Sequence, residues 1–188
     1  MQLGASSAAA HQIGLSIWLV FANVIDGPAI GVSVIASKLM SQPRPLRSDL
    51  FKQLLQFTCK LAAVTGAVSS LAIFAVRPLA PALFTSDAAV KSMLLLVLKQ
   101  VGIHQSIVHL TILLEGVAVG GKEFGAMFVG TVCSTALSVY LLLHKCRSVE
   151  SIWLVGVNGL FAGRIVTAAI AIGRMRYTYY AKSKLDRK

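Results

Sequence analysis

Phe124-Gly-Ala-Met-Phe-Val-Gly-Thr-Val-Cys-Ser-Thr-Ala-Leu-Ser-Val-Tyr-Leu-Leu-Leu-His144 runs for 21 residues without a single Lys, Arg, Asp or Glu. A helix needs about 20 such residues to cross the hydrocarbon core of a bilayer, so this stretch alone directs the reading toward a membrane protein. Working outward from it, four further apolar runs of similar length appear: about Gln12 to Ser37, Gln53 to Val76, Ser92 to Val119 and Ile152 to Gly173. The chain of 188 residues has room for about five or six spans with their connections, and five are found. The expected fold is an all-α integral membrane bundle of five transmembrane helices.

Composition agrees. Charged residues make up 13% of the chain and hydrophobic ones 56%, with a mean hydropathy of +0.74, whereas a soluble domain carries about 25% charged residues. The formal net charge of +11 raises nucleic acid as a partner, but the basic residues lie between apolar runs and in the tail. That is the distribution membrane topology produces, and no nucleic-acid partner is expected. Cys59, Cys133 and Cys146 form no C-x-x-C pair, and His11, His104, His109 and His144 lack the spacing of a metal-binding helix. No metal or organic cofactor is assigned. No targeting sequence is legible, and plasma membrane and plastid envelope both fit a multi-pass chain.

The connections carry turn chemistry. Met40 to Asp49, with Pro43 and Pro45, reads as a loop, as do Arg77 to Pro81 and Phe84 to Asp87; Thr85 or Ser86 together with Asp87 is placed to cap the third span. Because spans alternate in direction, Lys38, Arg44, Arg47, Lys52, Lys122 and the basic residues from Arg174 onward fall on one side. Arg77, Lys91, Lys99, Lys145 and Arg147 fall on the other. The positive excess marks the cytoplasmic side, so the Pro43–Pro45 loop and the basic tail (178–188) are expected in the cytoplasm and the N-terminus outside.

Polar residues within the spans are the candidate functional groups. Along the first span, Gln12, Ser16, Leu19, Asn23, Asp26, Ile30, Ser33 and Ser37 share one helical face. The serines suit helix packing. Asp26 differs, because an acid at mid-span costs about 3 kcal/mol unless it is protonated, paired or wetted. Asn23 lies one turn before it, and Gly27-Pro28 after it removes a backbone donor near Val24. Two readings follow for Asp26: a carboxylate in a polar cavity that exchanges a proton or binds sodium, or a structural salt bridge with Arg164 or Lys60. In the third span Glu115 shares a face with Gln100, His104 and Thr111, and His104 has two readings, a satisfied packing histidine first and a proton relay second. Arg164, a permanent cation at mid-span, requires a carboxylate or a ring of carbonyls. Asp26 is the expected partner, being placed at similar depth, with Glu115 read as nearer the cytoplasm. No H-E-x-x-H, P-loop or G-x-S-x-G is present, so an enzyme is not expected.

Taken in order, several motifs resemble one family. Ala9-Ala10-His11-Gln12-Ile13, Trp18 and Asp26-Gly27-Pro28-Ala29-Ile30 look like the start of the second helix in the C-terminal lobe of multidrug and toxic compound extrusion (MATE) transporters, in their DinF-like branch. Phe84-Thr85-Ser86-Asp87 resembles the outer loop before the tenth helix of that family, and Glu115-Gly116 through Gly120 to Glu123-Phe124 resembles its acid-Gly-x-x-x-Gly-x-x-acid segment, with Glu where Asp is usual. Ile152-Trp153 followed by Arg164 and Arg174 is similar to the twelfth helix, with a Trp–Arg interval about one residue longer.

The resemblance covers Leu3 to Tyr177 and implies that residues 1–177 form helices eight to twelve of a twelve-helix antiporter. It implies export of organic solutes or xenobiotics in exchange for protons or sodium ions, with the N-terminal lobe of the same transporter as the missing partner. Asp26, Asn23, Glu115, His104 and Arg164 are then the candidate ion- or substrate-binding residues. The alternative is a non-transporting membrane subunit whose polar stripes serve helix association.

Overall fold

The computed structural model describes residues 4–42 and 44–185, with side chains for 4–42 and 49–177. The elements are α1 (Ala5–Met40), α2 (Arg44–Val76), α3 (Ala80–Phe84), α4 (Ala88–Gly120), α5 (Phe124–His144), α6 (Val149–Ser151), a π-helical stretch Ile152–Val157, and α7 (Asn158–Leu185). No strand occurs among the described residues. Five segments are long and apolar enough to cross a membrane: Ala5–Met40, Asp49–Val76, Ala88–Gly120, Phe124–His144 and Val149–Tyr177. The chain is a multi-pass membrane protein by length and composition of these helices.

The helix ends follow local chemistry, with two departures from expectation. Asp87 caps α4, its Oδ1 accepting from the Ala89 and Val90 amides at 2.7 and 3.2 Å. Ser148 and Ser151 form a reciprocal capping box at α6, so the last span begins earlier than Ile152. The stretch read as a loop from Met40 to Asp49 is already helical from Arg44, since a proline in the first turn costs no hydrogen bond. Likewise Ala80–Phe84, read as connection, forms one short helix. Between α4 and α5 the Lys122 amide donates to Val119 and the Glu123 amide to Ala118. These two bonds close a Schellman turn with Lys122 at a positive φ of 65°.

Helix direction can be read from the contacts. A methyl group at Gly116 would lie 2.7 Å from the Ala29 carbonyl oxygen; Gly120 faces Ser33 and Ala36, and Gly14 faces Val97, so α1 and α4 run parallel. Gly66 against Ser106, Gly102 against Phe74, and the Arg77 Nε–H donated to the Leu95 carbonyl (2.9 Å) make α2 antiparallel to α4. On the other side Gly130 meets Thr167, Ser134 meets Gly163, and the Ser138 hydroxyl donates to the Gly156 carbonyl at 2.8 Å, so α5 is antiparallel to α7. These small-residue seams bring backbones together where lipid supplies no hydrophobic drive.

Helix α4 is the axis of the bundle. In its most apolar stretch 56% of residues are buried, against 11–28% in the other spans. The helix with the most polar sequence is therefore the most enclosed, because polar side chains avoid hydrocarbon more strongly than apolar ones avoid protein. The outer surface is the reverse: Leu71, Phe128 and Leu143 are 68%, 72% and 74% exposed, as a lipid-facing surface requires.

Candidate functional site

Arg164 on α7 is claimed by Glu115 on α4. Its Nε–H donates to Oε1 at 2.7 Å and a terminal NH2 donates to Oε2 at 2.6 Å, a two-pronged charge-assisted pair with both side chains mostly buried. The guanidinium also sits 5.3 Å from the Phe161 ring centroid. This corrects the expected Asp26–Arg164 pair, and the reason is geometric. Gly116 packs directly against Ala29, so Glu115 lies at nearly the depth of Asp26 instead of nearer the cytoplasm, and it points along the α4–α7 seam.

Asp26 consequently faces away from the bundle. The inner face of α1 is Ala10, Gly14, Ala22, Ile25, Ala29, Val32, Ala36 and Leu39, whereas Gln12, Ser16, Asn23, Asp26 and Ser37 are exposed. Neither Arg164 nor Lys60 reaches Asp26, and Asn23 makes no hydrogen bond to it among the described residues. Helix α1 continues through Pro28, which cannot donate to the Val24 carbonyl. That acceptor lies on the same open side, where a methyl group added at Gly27 or Gly31 would meet nothing within 4 Å. The first span thus leaves a carboxylate, an amide and several hydroxyls on one open face at membrane depth.

Gln100, His104, Gln105, His109 and Thr111 of α4 are buried, whereas Ser92, Lys99 and Ser106 are exposed. Gln100 Nε2 donates to Glu150 Oε1 at 3.0 Å. His104 contacts the Gln100 carbonyl through Nδ1, Thr111 donates to the Ile107 carbonyl, and His109 Nδ1 is 3.0 Å from Thr65 Oγ1. The stripe Gln100, His104, Thr111 and Glu115 is therefore one face with three destinations, namely Glu150, the carbonyls of α4 itself and Arg164, and Val108 packs with Phe161 in one apolar cluster. Glu150 and Thr65 carry no motif that would have singled them out, and Trp153 stood only in the twelfth-helix resemblance; they matter because the fold delivers them to α4. At the Lys/Arg-rich end, Arg174 approaches Glu123 at 3.7 Å beside a cleft of about 740 Å³ between α5 and α7.

Of the five candidate residues, the structure joins Glu115 with Arg164, leaves Asp26 and Asn23 together on the open face of α1, and encloses His104 apart from both. No family model, no curated protein and no solved structure matches this chain.

Proposed function

We propose that the chain is the C-terminal lobe of a MATE-type secondary antiporter, which exports organic solutes in exchange for protons or sodium ions. One observation carries this reading: the bundle neutralises its mid-span cation internally and still turns a second mid-span carboxylate, Asp26, outward. An ionisable group there is costly against lipid and inexpensive against a water-filled cavity between two lobes. Neighbouring Asn23 and the acceptor at Val24, with Ser16 farther along the same face, supply the mixed polar lining such a cavity uses for ions. The π-helical stretch gives a reason for the longer Trp153–Arg164 interval, since a π turn takes up one extra residue within an otherwise α-helical segment.

The test is ion-driven efflux in vesicles carrying the complete gene product. Asp26→Asn keeps size and hydrogen bonding but cannot bind a proton or neutralise a cation, so it should preserve insertion and lower efflux or shift its pH dependence. Unchanged efflux with an unchanged pH profile rejects Asp26 as the coupling group. Absence of gradient-driven efflux in the unmodified protein favours the non-transporting subunit.

A further inference from the structure

Beneath the outer end of α4, the indole of Trp153 is held between two imidazoles. Its ring centroid lies 5.7 Å from that of His11 on α1 and 6.2 Å from that of His104 on α4. Trp153 and His104 are 1% and 0% exposed and His11 is half-buried. Trp153 Nε1, His104 Nε2 and His11 Nδ1 are all buried, and none has a hydrogen-bond partner among the described residues. Each unpaired ring nitrogen carries the full desolvation penalty of an unmade hydrogen bond, and both imidazoles adjoin the Trp153 ring, so a small guest beside the indole would relieve that penalty.

Their chemistry defines that guest. The Gln100 carbonyl can only accept, so His104 Nδ1 carries its proton and donates to it. Neutral His104 therefore presents an acceptor at Nε2, while the Trp153 indole can only donate. A single water accepting from Trp153 and donating to His104 Nε2 and His11 Nδ1 satisfies the set. On protonation of His104 the same water turns to accept from both Trp153 and His104 and keeps its bond to His11, so both charge states are satisfied. We infer that His11, His104 and Trp153 form a water-bridged proton-binding site at the α1–α4–π-helix junction. Of the charged groups around it, Glu150 is bonded to the Gln100 side chain. On the α2 side the Arg77 guanidinium is committed to the Leu95 carbonyl farther out along α4, and Lys99 is exposed. The π-helical backbone, an uncommon conformation often found at functional positions, is what presents Trp153 here. This site is separate from Asp26 and does not depend on the antiporter reading.

Trp18 and Trp153 are the two tryptophans, so Trp18→Phe makes Trp153 the sole emitter. In the full chain in lipid nanodiscs, its fluorescence should fall reversibly as pH drops, because an imidazolium beside an indole quenches it. His104→Gln and His11→Gln should each displace the midpoint, and the double substitution should abolish the transition. Glu150→Gln should shift it to lower pH without removing it. In the unsubstituted chain, nitrogen NMR should show His104 protonated at Nδ1 above the transition and at both nitrogens below it, with a water cross-peak to the Trp153 Nε1 proton. Emission independent of pH, a transition that survives the double histidine substitution, one that vanishes with Glu150→Gln alone, or an indole proton without contact to water would each overturn the site.

Discussion

At the scale of single residues, the two intramembrane carboxylates have opposite assignments, and charge removal separates them. Taking one partner from a buried pair leaves an uncompensated charge and costs about 3–5 kcal/mol, whereas removing both costs far less. Arg164→Leu should therefore destabilise the chain strongly, and adding Glu115→Gln should recover much of the loss, since both Glu115 oxygens accept from Arg164. Adding Asp26→Asn should recover nothing. Thermal unfolding of the purified single and double variants in detergent decides it: recovery with Asp26→Asn and additivity with Glu115→Gln would reverse the pairing.

At the scale of elements, the α1–α4 seam depends on glycines whose missing side chains let two parallel helices touch. A methyl at Gly116 meets the Ala29 backbone oxygen at 2.7 Å, and backbone cannot step aside as a flexible side chain does. Gly116→Ala should cost about 1–3 kcal/mol, the usual penalty of overpacking. Gly31→Ala, on the open face of the same helix, meets nothing within 4 Å and should be neutral or stabilising by up to about 1 kcal/mol through helix propensity. Melting temperatures of the two variants give the comparison. Equal destabilisation would mean that the face bearing Asp26 is packed in this chain.

At the scale of the whole molecule, the parallel set α1, α4 and α7 and the antiparallel set α2 and α5 bring Lys38, Lys122 and Arg174 to one end and Arg77, Lys91 and Lys145 to the other. By the positive-inside rule the first end is expected on the cytoplasmic side. With the three native cysteines replaced by alanine, a cysteine at Ser41 should react with an impermeant maleimide only from the cytoplasmic side, and one at Ser86 only from the opposite side. Both positions are exposed at the membrane ends of their helices. Labelling of both from a single side would break the five-span topology.

The membrane class and the five spans are properties of the sequence alone, because span length and hydropathy are local sums. Phe124–His144 shows this best, with the same bounds in sequence and structure. The Asp87 cap was legible for the same reason, as its acceptor and donors lie within three residues. What tertiary structure decided was which way each polar face turns. A stripe on a membrane helix is expelled from lipid but is not told which neighbour will receive it, since protein interior and lipid are similarly apolar. Asp26 and Glu115 are equivalent by that criterion; the rotation of α1 and α4 about their glycine seam sends one outward and the other to Arg164. The meeting of His11, His104 and Trp153 spans three segments separated by dozens of residues, and it exists only because α1, α4 and the π-helical turn pack side by side.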